Sequence, residues 1–241
     1  MPASAAPDLA ASRAPSLAVA DLVVQRREGP GPARLILDHV SLAVAPGTVV
    51  GIAGPSGAGK TTLLHVIAGL LRPDGGSVHW DGGELGALSE AARDRWRRDN
   101  VGLVFQDFQL LPELSVIENI LLPIRFDHWG TPRAKRDGAA LLAARVGLDQ
   151  RTARAGSLSR GEQQRLAIAR ALMRRPRLIL ADEPTASLDA ENGARIGDLL
   201  IECARENEAS LLLVSHDEAL LARAAQRYRL ADGKLLGERT R

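Results

Sequence analysis

Eight consecutive residues early in the chain have the types and spacing that bind nucleotide phosphates, G-x-x-x-x-G-K-[ST]. They are Gly54, Pro55, Ser56, Gly57, Ala58, Gly59, Lys60 and Thr61, with Thr62 directly after them. Glycines let backbone N–H groups turn toward phosphate oxygens, and a helix that begins there adds partial positive charge. Lys60 would reach the β- and γ-phosphates, and the Thr61 hydroxyl would be a ligand of Mg²⁺. A flexible glycine-rich turn is the alternative, and the flanking elements decide between them.

Two adjacent acids, Asp182 and Glu183, supply complementary chemistry. They close the apolar run 178–181, and the carboxyl ends of parallel strands are where α/β folds bind ligands. Asp182 would hold Mg²⁺ directly or through water, and Glu183 would polarise an attacking water molecule. Alone, the pair is equally well explained as the start of a turn before Pro184. Together with the phosphate loop it predicts a nucleotide-hydrolysing site.

The elements that must position these residues follow from apolar periodicity. Strands are predicted over 17–24, 35–44, 48–53, 101–105, 178–181 and 211–215, with a strand pair around 228–236. Helices are predicted over 60–71, 159–174 and 190–205, with a short one from Asp217, and 108–158 reads as a helical insertion broken at Pro112, Pro123, 130–132 and Gly147. Alternating strands and helices predict an α/β fold with a mostly parallel sheet covered on both faces.

Composition limits the compartment and the partners. The 241 residues are 45% hydrophobic and carry a net charge of +2, which gives no reason to expect nucleic acid. Cys203 is the only cysteine, so an intrachain disulfide is excluded and a reducing cytosol fits. The absence of any uninterrupted 18-residue apolar run means that a membrane role would need a partner. Residues 1–16 are rich in Ala, Pro and Ser and are predicted to be a disordered tail before a single domain at 17–241.

A third motif introduces a family resemblance. The run Leu158, Ser159, Arg160, Gly161, Glu162, Gln163, Gln164 and Arg165 resembles the signature motif of ABC ATPases. Further residues follow in the family's order: Gln106 is similar to the Q-loop glutamine, Asp189 to the D-loop aspartate and His216 to the switch histidine. The resemblance covers about 17–236. It implies a P-loop NTPase core over 17–107 and 159–241, an N-terminal antiparallel β portion, and a helical subdomain at about 108–158.

The resemblance also implies an ATP hydrolase that works as a homodimer. Two ATP molecules with Mg²⁺ would be sandwiched, each between one subunit's phosphate loop and the other subunit's signature. Ser159, which can cap the helix that follows, would meet the γ-phosphate together with Gly161 and Glu162. Asp189 would bridge the subunits, with simple N-capping of the next helix as its ordinary alternative.

Two further roles come from the same resemblance. His216 would contact the γ-phosphate and orient the water, and Gln106 would sense Mg²⁺ and that water while coupling to a separate integral-membrane permease. A solvated histidine and a surface amide are the alternatives, and the order of the motifs favours the functional roles. The protein is then expected to be cytoplasmic and peripheral on the inner (plasma) membrane.

Two positions depart from the family pattern. Arg160 stands where a glycine usually lies in the signature, so its side chain could crowd the γ-phosphate or add positive charge there. Activity is expected to survive, because Ser159 and Gly161 are retained. At the adenine-stacking position, the stretch 24–28 lacks an aromatic residue. Arg26 or Arg27 could stack on the base instead, and a solvated hairpin is an equally good explanation.

The stretch 105–115, with 118–119 and 162–165, resembles one subgroup of the family. This group powers lipoprotein release, macrolide-type efflux and a cell-division complex, through partners that transmit movement across the membrane. The apolar Phe108, Leu110, Leu111 and Leu114 would suit a docking site for the partner, and the core of the helical insertion is the alternative for about half of them. A regulatory ABC ATPase that controls an envelope process through a membrane partner, without transport, remains open.

Overall fold

The computed structural model describes residues 16–27, 33–125, 132–148 and 153–238. In chain order, the elements are β1 (Leu17–Arg26), β2 (Arg34–Val44), β3 (Val49–Ala53), α1 (Lys60–Ile67), β4 (Gly75–Trp80), β5 (Gly83–Glu84), α2 (Glu90–Asn100), β6 (Val101–Val104), α3 (Val116–Arg125), α4 (Arg133–Arg145), α5 (Arg160–Leu172), β7 (Leu178–Asp182), α6 (Ala190–Glu206), β8 (Ser210–Val214), α7 (Glu218–Leu221), β9 (Gln226–Ala231) and β10 (Lys234–Glu238).

The larger sheet explains why distant residues meet. Its order is β10-β9-β3-β8-β7-β6, parallel from β9 to β6, with β10 antiparallel at one edge. Every residue of β3, β7 and β8 is buried, as expected for strands covered on both faces. The loops after these three neighbouring strands leave from the same edge. The phosphate loop, the two acids and His216 therefore lie side by side.

Helices and a second sheet cover the larger sheet. The antiparallel sheet β2-β1-β4-β5 and α1 share one apolar cluster with one face of the central strands. Apolar side chains of α5 and α6 pack on the other face. A third cluster joins α3, α4 and α5. This arrangement confirms the predicted α/β fold, with its mostly parallel sheet, N-terminal antiparallel portion and inserted helices.

Some predicted elements differ from the structure. Helix α1 ends at Ile67 rather than at residue 71, because Gly69 turns the chain with a φ of 66°. Pro123 lies inside α3 instead of breaking it. The strands β4 and β5 and the helix α2 were not predicted. Helix α2 buries none of its residues and so lacks the apolar stripe that would mark it, and its Ser89 cap accepts from the Ala92 N–H.

The predicted tail is wrong at its last residue. Ser16 is buried, its hydroxyl donates to the Val44 carbonyl oxygen, and its own carbonyl oxygen accepts from the Asp81 N–H. These bonds fix Ser16 directly before β1, between β2 and β4. The prediction for residues 1–15 lies outside the described residues, as does most of the predicted turn that follows β1.

Candidate functional site

The phosphate loop connects β3 to α1, and two of its glycines are required by space as well as by conformation. A Cβ on Gly54 would lie 2.2 Å from the Leu230 carbonyl oxygen, and one on Gly59 would lie 2.9 Å from the Ile36 carbonyl oxygen. Gly57 and Gly59 also have left-handed φ values of 76° and 102°. Gly59 caps α1 without a side-chain hydrogen bond. The first N–H groups of α1 are thus directed at the loop, as in an anion site.

Lys60 is the central cation of the site. Its side chain is only 7% exposed, and Nζ donates to the carbonyl oxygens of Gly54 (2.7 Å) and Pro55 (3.2 Å). Nζ is also 3.2 Å from His216 Nε2 and 3.4 Å from Glu183 Oε1. A buried ammonium is favourable only with such partners. The lysine is therefore held at the mouth of the loop, where phosphate oxygens could replace part of this shell.

Glu183 directly follows β7 in a left-handed conformation, with a φ of 46°. Its Oε2 accepts from the His216 N–H at 3.1 Å, and its Oε1 lies 3.0 Å from His216 Nε2. The carboxylate is 8% exposed, and Oε1 lacks a well-oriented hydrogen bond among the described residues. A left-handed backbone at a non-glycine residue is strained, and such strain is concentrated at functional sites. The side chain of His216 is 54% exposed.

Asp182 and Thr61 form the second polar pair. The Thr61 hydroxyl donates to Asp182 Oδ2 at 2.7 Å, across from the end of β7 to the first turn of α1. Hydroxyl and carboxylate oxygens are the ligands that Mg²⁺ prefers, so this pair fits that ion. Groups of three or more His, Cys, Asp or Glu side chains suited to a metal are absent from the described part of the chain.

These residues line one pocket of about 410 Å³. Its lining includes Ser56, Gly57, Gly59, Lys60, Thr61, Thr62, Gln106, Asp182, Glu183 and His216. Arg26 also lines it, whereas Arg27 does not. Arg34, Ile36 and Ala186, which belong to none of the sequence motifs, complete the lining. Arg34 faces Arg26 in the β1–β2 register. That pairing across a hairpin has no local sequence signal.

The signature residues and the D-loop residue Asp189 lie elsewhere in the single chain. Ser159, Gly161, Glu162 and Asp189 do not line the pocket. Ser159 caps α5 in a reciprocal capping box: its N–H and hydroxyl donate to Glu162 Oε2, and its Oγ accepts from the Glu162 N–H. These bonds lower the pKa of Glu162, those from the Ser159 side chain first. The N–H groups at the start of α5 are thus preorganised on an accessible edge.

Asp189 and Arg160 have contacts within the chain. Asp189 caps α6 and accepts from the Asn192 N–H and amide, which lowers the pKa of its carboxyl. The Arg160 guanidinium lies over the Phe108 ring, with Cζ 5.7 Å from the centroid. This cation–π contact directs the Arg160 side chain toward the segment after β6. In the part of the chain that the structure describes, the helices lack the length and the apolar run that a membrane span requires.

The pocket brings together the residues that the resemblance to ABC ATPases assigns to nucleotide binding and hydrolysis. Residues 37–186 match the sequence model described as ABC transporter. The chain belongs to this family. It is an ATP-binding and ATP-hydrolysing subunit of such a transporter.

Two relatives and one solved structure are similar to this chain over most of its length. The lipoprotein-releasing system ATP-binding protein LolD 1 of Caulobacter vibrioides is 44% identical over 201 residues, which are 83% of this chain and 86% of that protein. The LolD 2 protein of Rhodopirellula baltica is 43% identical over 206 residues, with 83% and 81% covered. The dimeric post-hydrolysis structure of the cassette MJ0796, bound to ADP and Pi, has a TM-score of 0.85 and 33% identity. The match covers 93% of this chain and 99% of that one.

Proposed function

We propose that two copies of this chain bind two ATP molecules between them and hydrolyse them to drive a membrane complex that releases lipoproteins. The observation that carries this proposal is the division of the site. Lys60, Thr61, Asp182, Glu183 and His216 converge on one pocket, whereas Ser159, which caps the preorganised start of α5, does not line it. The two half-sites become one only when a second copy is present.

Each side chain then has a role in hydrolysis. Lys60 neutralises charge on the β- and γ-phosphates, and Glu183 accepts a proton from the attacking water. His216, whose Nε2 is 3.0 Å from Glu183 Oε1, orients that water and the γ-phosphate. Thr61 and Asp182 would hold Mg²⁺, with Gln106 directed at the same ion and water. When bound, that ion supplies neutralisation of phosphate charge.

The second subunit would complete the site. Ser159, Gly161 and Glu162 would present the start of α5 to the γ-phosphate held by the other copy, and Asp189 would bridge the two subunits. We further propose that 17–241 act as one ATPase domain. In it the helical subdomain at about 108–158 interrupts the core formed by 17–107 and 159–241.

Complementation between two inactive variants tests the shared site. Lys60→Ala removes the cation that would bind the β- and γ-phosphates, and Gly161→Asp puts negative charge where the γ-phosphate would lie. A mixed dimer has one site with both defects and one with neither. Mixing the two inactive chains should restore up to roughly a quarter of the wild-type turnover, since half of the dimers are mixed and each has one intact site. If the mixture stays as inactive as its components, the shared-site proposal is wrong.

The membrane partner is the second part of the proposal. Relatives described as lipoprotein-releasing ATP-binding proteins support a permease of that type, and with it a position on the cytoplasmic face of the inner membrane.

In the predicted docking segment Phe108 is buried, whereas Leu111 is 46% exposed. Leu111 is therefore a better candidate contact for the permease. Reconstitution with the permease should give ATP-dependent lipoprotein release, and Leu111→Asp should uncouple release from basal hydrolysis. Release that survives Leu111→Asp unchanged would argue against that contact.

A further inference from the structure

The segment after Gln106 has an unusual backbone. Phe108 and Gln109 are consecutive non-glycine residues with left-handed φ values of 61° and 46°. The Phe108 N–H donates to the Phe105 carbonyl oxygen at 3.1 Å, which closes a turn around Gln106. Such a conformation persists only where the surrounding structure holds it. The turn that presents Gln106 to the pocket therefore depends on contacts from outside the segment.

One side chain supplies two of those contacts. Arg170 Nη2 donates to the Phe108 carbonyl oxygen at 2.6 Å, and its Nη1 donates to the Gln109 carbonyl oxygen. The planar guanidinium can bridge two adjacent carbonyls, which a lysine ammonium cannot do with the same geometry. Burial lowers the pKa of Arg170, and the Asp107 carboxylate opposes this change. These two hydrogen bonds, the Arg170 clamp, are therefore charge-assisted, and they lie where water is partly excluded.

Arg170 lies in α5, the helix that starts directly after Ser159. A second contact joins the same two parts, because the Arg160 guanidinium lies over the Phe108 ring. The left-handed segment is therefore attached to α5 near its start and again near its end. A displacement of either part has to move the other or break these bonds.

We propose that Arg170 is a positioning residue that sets the conformation of Gln106 and links it to the signature helix α5. The inference rests on the role proposed for Gln106 in hydrolysis. Without the clamp, the strained turn relaxes and Gln106 samples other positions. Turnover falls while ATP affinity, which depends on the phosphate loop, is retained.

A double-mutant cycle on ATP hydrolysis separates this role from simple fold stabilisation. Arg170→Met should lower kcat about tenfold while the KM for ATP changes less than about twofold. In a Gln106→Ala background, the same change should lower kcat less than about twofold further, since the residue acts through Gln106. Arg170→Lys keeps the charge and one hydrogen bond, so it should restore part of the kcat.

Arg174→Met is the matched control. Arg174 follows α5 by two residues, and its Nε and Nη2 both donate to the Pro123 carbonyl oxygen, at 2.9 and 2.8 Å. It anchors α3, and its Nη1 also pairs with Asp99 of α2 at 3.5 Å, so its replacement should leave kcat unchanged at temperatures below unfolding. An equal fall in kcat for Arg174→Met would overturn the proposal. Independent, multiplicative effects of Arg170→Met and Gln106→Ala would do the same.

The same variants distinguish failure of the role proposed for Gln106 from failure of the role proposed for Arg170. If Gln106→Ala keeps the wild-type kcat, the role proposed for Gln106 fails, and with it the route by which Arg170 would act. If Gln106→Ala lowers kcat and Arg170→Met does not, only the present inference fails. Circular dichroism reports whether Arg170→Met folds, and if it does not, the cycle with Arg170→Lys gives the same decision.

Discussion

The Glu183 carboxylate is surrounded closely enough that the effect of removing its charge can be worked out. Glutamine keeps the shape of the side chain, and its amide oxygen can still accept from the His216 N–H that now bonds Oε2 at 3.1 Å. The other position lies 3.0 Å from His216 Nε2 and 3.4 Å from Lys60 Nζ. An amide there cannot take a proton from water. Glu183→Gln therefore removes the base and leaves the site built.

The magnitude follows from the lack of a substitute base. The neighbouring carboxylate, Asp182, is already bonded to the Thr61 hydroxyl. A positioned general base contributes about 10²- to 10⁴-fold, so kcat should fall at least ~100-fold, or about 2.7 kcal/mol in activation free energy. Affinity for ATP should not fall. Lys60 keeps the Gly54 and Pro55 carbonyls and loses an anionic neighbour that competes with phosphate.

Phosphate release and fluorescent-nucleotide binding measure the two quantities separately. Glu191→Gln is the control, because Glu191 is an exposed acid in α6 that pairs only at the surface, with Arg195. It should hydrolyse ATP at the wild-type rate. Turnover by Glu183→Gln within about threefold of wild type would refute the assignment of the base.

Three further predictions concern the metal, a buried amide and the cysteine. Asp182→Asn should raise the Mg²⁺ concentration needed for half-maximal turnover at least about tenfold, measured by titration after chelation; an unchanged requirement would place the ion elsewhere. Gln164 is fully buried and both its amide atoms lack partners among the described residues, so Gln164→Met should raise the free energy of unfolding in urea by about 1 kcal/mol, and a loss would contradict this. Burial raises the pKa of Cys203 from 9.0 to about 11. The unfolded chain then releases the proton first, so stability should decline as the pH rises from about 9 to about 11, and Cys203→Ala should flatten that slope in pH-dependent unfolding.

The sequence predicted most of the larger sheet because its strands are continuous apolar runs. The phosphate loop, Asp182 and Glu183 could be placed at its edge because they directly follow such runs. His216 could be placed as well, since it follows β8, between the other two strands. The antiparallel strand β4 was missed because its pairing with β1 joins residues distant in sequence, such as Leu17 and Trp80.

What the sequence could not predict are contacts between distant side chains. The position of Arg160 in the signature suggests that its side chain could crowd the γ-phosphate or add positive charge there, whereas in the single chain its guanidinium lies over Phe108. The Arg170 clamp joins residues about sixty positions apart in sequence, and sequence periodicity carries no signal at such distances. The nucleotide pocket likewise includes Arg34 and Ile36, which belong to β2, and β2 packs against the phosphate loop at Gly59.

The molar mass of Glu183→Gln in solution, measured by light scattering with and without Mg²⁺ and ATP, tests the shared site most directly. Without nucleotide the chain should have its monomer mass of 25.7 kDa. With ATP it should have twice that mass, because each bound γ-phosphate would join the Lys60 side of one copy to the Ser159 side of the other. Adding Gly161→Asp should return the mass to that of the monomer. A Glu183→Gln chain that binds ATP and stays monomeric at concentrations well above its nucleotide Kd would contradict the account.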